Sequence, residues 1–398
     1  MSFETWDVVV VGGGPAGATA ADDLALQGHR VLLLDREGRI KPCGGAVPPR
    51  LIRDFAIPDA LLVAHARSAR MVAPSDARVD IPIEGGFVGM VDREQFDEWL
   101  RERAADHGAQ RRSGTFERLG RDADGVSLVH YRGGGRTGDG PLCTVRARAV
   151  IGADGARSMV AQQAVTLAGP AACVFAYHEI VQLPEQPPAG HDGSRCDVVY
   201  NGKISPDFYG WVFPHGNTLS IGSGTADKGF SLRGAVAALR ADAGLTGART
   251  LRREGAPLPM KPLARWDNGR DVVLAGDAAG VVAPASGEGI YYAMVSGRHA
   301  AQAVHELLAG APASCLKQAR RQFMREHGRV FLVLGIMQRF WYRTDKRRER
   351  FVSICKDKDV QQMTFESYMN KKLTRKKPMQ QVRIFFKDMA HLLGLARV

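Results

Sequence analysis

Residues 6–11, WDVVVV, are β-branched and almost continuously apolar, the pattern of a strand buried on both faces. The next stretch, GGGPAGATAADDLALQG, is glycine-rich and then takes a helical period. HRVLLLD (29–35) returns to a second apolar strand. Strand, helix and strand within about thirty residues make a βαβ unit. Downstream, Asp92 is placed to cap a helix running through REQFDEWLRERAADHG, with Gln95 at the capping-box position. Residues 113–151 alternate as strands and turns. Residues 171–225 are strand-like again, punctuated by Pro and Gly, with aromatics at 208, 209, 211 and 213. A third buried strand lies in DVVLAGDAAG (271–280) and ends in a turn. A long helix follows over about 288–309, and the remainder is helical and basic. YRGGGRTGDGP (131–141) reads as a surface hairpin loop by composition, and there is no internal repeat.

Length changes the picture first. At 398 residues the chain can build roughly two to three packed domains around a large core. Its longest strongly apolar run, VFLVLGIM (330–337), falls well short of the ~20 residues that cross a bilayer. The opening residues lack the pattern of a signal peptide. Six cysteines (43, 143, 173, 196, 315 and 355) show neither CxxC nor zinc-site spacing, which predicts reduced thiols in a cytoplasmic protein. The net charge of +12 is concentrated at one end: from Leu316 to Val398 there are 21 Lys and Arg against 7 Asp and Glu, so the rest of the chain carries −2.

Candidate chemistry begins in the βαβ unit. Gly12-x-Gly14-x-Ala16-Gly17 opens the helix directly after the first strand, and Asp35, with Arg36 beside it, closes the second strand. The glycines permit a tight turn, close approach of a pyrophosphate to the helix N-terminus, and close helix–strand packing. The carboxylate can accept from a ribose hydroxyl. A dinucleotide site is preferred here over a plain structural turn. The unit alone does not separate FAD from NAD.

VVLAGDAAGVVAPASGEGI (272–290) makes that separation. Asp277 at the end of a late strand, followed by a helix entered through Gly287-Glu288-Gly289-Ile290, resembles the second flavin fingerprint of the aromatic-hydroxylase-like flavoproteins. The resemblance implies that Asp277 holds the ribityl chain and that the helix N-terminus faces the pyrimidine edge of the flavin. The positive end of a helix dipole suits the negative charge of reduced flavin. IGADGARSMV (151–160) resembles the Asp-Gly motif of the same superfamily, near the pyrophosphate and the path of NADPH, which makes Asp154 and Gly155 candidates. It departs from that motif at Ala161, where an arginine is usual. Arg93 matches the superfamily's flavin-contacting arginine; an exposed first-turn arginine is the bland alternative.

SPDFYGWVFPHGNTLSIGSG (205–224) follows the pattern Tyr-x-Trp-x-Phe-Pro, seven residues, then Gly-x-Gly. Alternation puts Tyr209, Trp211 and Phe213 on one face of a strand, as an aromatic core strand or as the wall of a cavity for a long apolar ligand. Together with KPCGG (41–45), this pattern resembles the geranylgeranyl reductase family. The runs KPCGGAVPPRLIRDFAIPD, GGFVGMVDRE and YNGKISPDFYGWVFPHG resemble its (bacterio)chlorophyll-synthesis branch, and the resemblance covers essentially the whole chain.

The implied fold is α/β with α+β elements. A Rossmann-type FAD-binding domain is assembled from 1–66, 86–165 and 265–310. A mixed-sheet substrate domain comprises 67–85 and 166–264, and a basic helical region covers 311–398. The implied activity is NADPH-driven, FAD-dependent saturation of double bonds in a geranylgeranyl group, giving phytyl, on bacteriochlorophyll or as the diphosphate. The implied place is the cytoplasmic side of a bacterial membrane.

By this resemblance Cys43, Gly44 and Gly45 lie beside the flavin. Saturating an isolated C=C needs a hydride at one carbon and a proton at the other. A thiol with an ordinary pKa of ~8.5 is protonated at neutral pH and can give that proton, although Lys41 nearby would work against it. Cys43 is therefore a proton donor or a structural residue beside the flavin. A flavin monooxygenase on the same scaffold is the first rival, but it gives no reason for the Cys-Gly-Gly loop. Tyr209 and Phe213 depart from the halogenase strand pattern. The basic segment 316–398, with interleaved aromatics and aliphatics, suits an anionic membrane surface or a helical subdomain with a solvated basic face. A non-catalytic membrane- or nucleic-acid-binding protein is the rival from another class, though no nucleic-acid motif accompanies the charge.

Overall fold

The computed structural model describes residues 3–38, 40–84, 86–134, 139–165 and 172–361. Expectations for 362–398 and for the tip of the 131–141 hairpin fall outside these residues.

The first strand, Glu4–Val11, pairs in parallel with Val31–Asp35 on one side and with the end of Leu142–Gly152 on the other. Gln110–Ser113 extends the parallel set beyond Val31–Asp35, and Val272–Leu274 extends it beyond Leu142–Gly152. Val8 to Val10 and Val31 to Leu34 are at most 1 % exposed, as a strand covered on both faces requires. The long strands Gln110–Arg121 and Leu142–Gly152 then continue antiparallel to Ser127–Gly133. Helix α1 (Pro15–Leu26) follows the first strand. The short helix α2 (Pro49–Asp54) follows a two-residue strand. Helix α3 (Arg93–Asp106) is capped by the Asp92 carboxylate, which accepts from the Glu94 amide at 3.0 Å. The next helix, α4 (Met159–Ala164), is capped by Ser158.

The second sheet is mixed and seven-stranded. Its order is Thr250–Pro259, Cys173–Gln182, Thr218–Thr225, Gly210–His215, Arg195–Val199, Ser68–Val72 and Arg78–Pro82, with only the pairing of Arg195–Val199 to Ser68–Val72 parallel. One face packs on α5 (Leu232–Asp242) through Val181, Leu219, Ile221, Val236 and Leu239. The other face packs Phe208, Tyr209 and Trp211 toward the long helix α6 (Ile290–Leu308) and its approach. On that face it also meets α7 (Lys317–Trp341) and α8 (Asp345–Ile354), through Trp341, Tyr342, Phe351 and Val352. The aromatic strand is thus turned toward the parallel sheet's helices, and a cavity lies where the two halves meet.

Candidate functional site

A trench of about 520 Å³ runs along the ends of the parallel strands, from Asp35 and Arg36 past Gly12–Ala16 and Asp154–Arg157 to Asp277. Its floor is the N-terminus of α1, where the N-cap is Gly14, which has no side chain to cap the first-turn amides. Gly12 has φ +104°, and a Cβ there would lie 2.3 Å from the Ala153 carbonyl oxygen. A Cβ on Gly17 would lie 1.8 Å from the Gly12 oxygen. These two glycines bring helix and strands together, whereas a Cβ on Gly14 or Gly155 would meet nothing within 4 Å. Ala16 is buried under α6: a Cβ on Gly297 would sit 2.3 Å from its carbonyl oxygen. The trench therefore fits a dinucleotide, with free amides for a pyrophosphate and the half-buried Asp35 for a ribose. Arg101 of α3 also lines it, donating to the Gly13 carbonyl at 3.2 Å and reaching Asp35 at 3.5 Å.

Asp154 has a more local task. Its carboxylate accepts from Ser158 Oγ at 2.5 Å and from the amides of Met159 at 2.7 Å and Val160 at 3.2 Å. It holds the turn that carries Gly155 into the trench. Burial pushes its pKa up, and the Ser158 and backbone bonds oppose that rise.

At its far end the trench opens into a chamber of about 130 Å³; Pro15, Lys41, Pro42, Ala256, Asp277 and Ala293 line both. The Asp277 side chain is 4 % exposed and is ion-paired with the Lys41 ammonium. Gly289 is the N-cap of α6 and Ile290 its first residue, with no side-chain cap. The N-terminus of α6 therefore also faces the chamber. Gly287, with φ +66°, passes close beneath Phe208.

Tyr209, Trp211 and Phe213 all line this chamber, with neighbouring ring centroids 6.1 and 6.3 Å apart. Tyr209 is fixed by a bond from its hydroxyl to the Ser286 carbonyl at 2.5 Å. Opposite lies the Cys43 loop. A Cβ on Gly44 would touch the Phe213 ring at 3.4 Å, so the loop lies flat on the aromatic wall. Gly45 has φ +74° and no room for a side chain, with His215 and the Val91 carbonyl each 2.5 Å from a Cβ. This is the physical reason for glycine at 45; at 44 a Cβ would make only ordinary contact with the aromatic wall.

The Cys43 sulfur accepts from the Gly45 amide at 3.3 Å. Its cationic neighbour is Arg93 rather than Lys41, whose ammonium is turned to Asp277. Nor is Arg93 an exposed first-turn residue: it is 5 % exposed and bonds Asp97 through two bonds of 2.8 and 2.7 Å. Burial works against its charge, but the Asp97 carboxylate and the Cys43 sulfur more than offset this and hold the guanidinium firmly protonated.

A row of polar groups behind the wall escapes the sequence pattern. Trp211 faces Gly222 across one strand pair, Gly222 faces His178 across the next, and His178 faces Glu254 across a third. The Trp211 indole donates to Ser220 Oγ at 3.1 Å, His178 Nδ1 lies 3.1 Å from the same oxygen, and His178 Nε2 lies 3.1 Å from Glu254. Burial alone would raise the Glu254 pKa, but His178 and Arg252 bring it below the usual carboxylate range. Burial pushes His215, behind Gly45, down to about 4, so it is neutral. His178, Glu254, Asp97 and Arg101 carry no motif of their own; only strand register and helix spacing could have pointed to them.

The chain matches the FAD binding domain family over residues 5–326. It is 58 % identical to the geranylgeranyl diphosphate reductase of Rhodobacter capsulatus, over 98 % of each chain. It is 37 % identical to the enzyme of the same name from Synechocystis, over 97 % of each. Among solved structures, a geranylgeranyl bacteriochlorophyll reductase-like protein of Thermoplasma acidophilum superposes with a TM-score of 0.81. It shares 21 % identity, covering 94 % of this chain and 99 % of its own. At that identity it shows the common fold.

Proposed function

The chain belongs to the geranylgeranyl diphosphate reductase family, and on that premise we propose how its chamber saturates the double bonds of a geranylgeranyl group in photosynthetic pigment synthesis. It is an FAD-dependent oxidoreductase. The observation that carries the mechanism is the junction at Asp277, where a trench shaped for a dinucleotide opens into an aromatic-walled chamber with a thiol opposite. FAD, when bound, supplies the hydride, with NADPH as the source of electrons.

The chain's own residues do the rest. The α1 N-terminus and Asp35 hold the adenosine diphosphate end, while Asp277 and the N-terminus of α6 hold the flavin end. Tyr209, Trp211 and Phe213 hold the apolar chain and exclude water from it. Cys43 Sγ–H would give its proton to one carbon of the alkene, the carbon opposite to the one the cofactor would reduce. The charge left on sulfur then faces the Gly45 amide and the permanent charge of Arg93. Geranylgeranyl is the chain acted on, esterified in bacteriochlorophyll or as the free diphosphate. The enzyme works from the cytoplasmic side of a bacterial membrane.

The test is an anaerobic incubation of the protein with FAD, NADPH and each geranylgeranyl substrate in detergent, read by mass spectrometry. Stepwise gains of one, two and three equivalents of H₂ are expected. No gain without oxygen, followed by the gain of one oxygen atom in air, would assign the chamber to monooxygenation instead.

A further inference from the structure

Helix α7 has two faces. Inward, Phe323, Val330, Phe331 and Trp341 are buried, and Leu334 and Met337 pack against the aromatic cluster of the second sheet. Gln338 ties the helix to the lip of the chamber: its amide donates to the Asp207 carbonyl at 3.3 Å, and its oxygen accepts from the Ala285 amide at 3.3 Å. Outward, Leu332, Val333 and Ile336 are 65, 39 and 59 % exposed, consecutive on one face. Arg325 and Arg329 precede them on that face and Arg339 follows, with Arg343 just past the helix end, all exposed and none paired with a carboxylate among the described residues. The other large exposed apolar side chains, such as Leu26, Leu142 and Leu251, are scattered on other elements.

We infer that this outward face of α7 docks on an anionic lipid bilayer, with Leu332, Val333 and Ile336 entering the acyl boundary and the flanking arginines on the lipid phosphates. An aliphatic patch bracketed along a helix by unpaired cations is the layout of an interfacial helix. No described helix is long and apolar enough to cross a membrane, so the contact is peripheral. Charge decides among occupants. Residues 362–398 of this chain carry 8 Lys and Arg against 2 Asp and Glu, and would bring like charge onto the arginines. A nucleic acid would answer the arginines but leave the aliphatic centre in water, since single strands stack on aromatic rings. An anionic bilayer answers both parts and also suits the basic tail. The inner side of the same helix touches the loop carrying Ser286 and Gly287 into the chamber. A polyprenyl chain would therefore leave the bilayer one helix thickness from its site.

The inference stands without the reductase reading, because it is scored with no substrate present. The FAD-loaded full chain is sedimented with vesicles of phosphatidylcholine alone and of phosphatidylcholine mixed with phosphatidylglycerol. Binding to the mixed vesicles is expected to be at least ~10-fold stronger and to weaken with salt. The double variant Leu332→Ser, Ile336→Asp is expected to lose ~10-fold or more of that binding, and Arg329→Gln, Arg339→Gln to bind more weakly with a smaller salt dependence, with flavin absorbance and melting temperature unchanged. Undiminished binding by both variants, or binding lost only when 362–398 is deleted, would overturn the assignment. So would a patch variant that changes only the oligomeric state, which would make the face a contact between copies of the chain.

Discussion

The ammonium of Lys41 lies against the carboxylate of Asp277 at the neck between the dinucleotide trench and the aromatic chamber. A carboxylate that is 4 % exposed needs a partner at all times. Lys41 is that partner here; flavin hydroxyls would share or replace it. Asp277→Ala is therefore expected to weaken FAD binding roughly 10–100-fold, the worth of one or two hydrogen bonds to a charged group. Fluorescence titration of the apoprotein measures this. FAD held as tightly by the variant as by the parent would remove Asp277 from the cofactor site.

Cys43 and Arg93 make a second pair with separable consequences. If the thiol gives the proton, Cys43→Ala should lower the rate of alkene saturation by ~10²–10⁴ while leaving NADPH-driven bleaching of the flavin intact. Cys43→Ser keeps the size but not the acidity and should be nearly as slow. Stopped-flow absorbance separates the two half-reactions. Equal loss in both would show that the cysteine only shapes the flavin pocket. Arg93→Leu is expected to cost about 3–5 kcal/mol of stability, because it leaves Asp97 buried without its cation.

The wall itself can be tested at Gly222. A Cβ there would fall 2.1 Å from Cζ2 of Trp211, so Gly222→Ala must push the indole toward the chamber. FAD affinity should stay as it is, since no part of the trench moves. kcat/KM for the geranylgeranyl substrate should fall by up to ~100-fold, the cost of misplacing a positioning group by about 1 Å. Ser220→Ala attacks the same indole from behind. It leaves the Trp211 N–H and His178 Nδ1 without their shared oxygen, at about 1–3 kcal/mol of stability. Unchanged turnover in both variants would mean the row behind the wall does not position it.

The parts of this architecture that were legible in the sequence are those set by neighbours along the chain. Gly12, Gly14, Gly17 and Asp35 lie within one βαβ unit, where backbone geometry alone dictates residue type. The alternation of Tyr209, Trp211 and Phe213 is a property of a single strand. What stayed hidden depends on register between distant strands. His178 and Glu254 are separated by three other strands in sequence, yet stand opposite each other once Cys173–Gln182 pairs with Thr250–Pro259. Arg93 read equally well as exposed, because nothing near it reveals that the Cys43 loop folds over its helix. From the sequence Lys41 is a nearby cation that would act on the cysteine two residues away. A carboxylate 236 residues on takes it instead, as only the assembled neck between the cavities could reveal.

Buried imidazoles give the fold an acid limit. His327 on α7 is 1 % exposed, ringed by Tyr291, Tyr292 and Phe323, and neither ring nitrogen has a hydrogen-bond partner among the described residues. Burial, helped by the charge of Arg50, pushes its pKa down to about 3; His299 also disfavours the charged form, and the Glu326 carboxylate stands 3.7 Å away. The folded protein thus keeps His327 neutral, while the unfolded chain takes up a proton near the ordinary value of ~6.5. Stability from this group is complete above that pH and drains away as pH falls from ~6.5 toward 3, at up to ~1.4 kcal/mol per unit. His215, held down to about 4, drains over nearly the same window. Replacing His327 by Leu removes one titrating group and keeps the apolar contacts, so the loss of unfolding free energy between pH 7 and pH 5 should shrink by about 2 kcal/mol. Denaturant titrations at the two pH values measure it. An unchanged pH dependence in His327→Leu would mean that this imidazole is already protonated, or already solvated, in the folded protein.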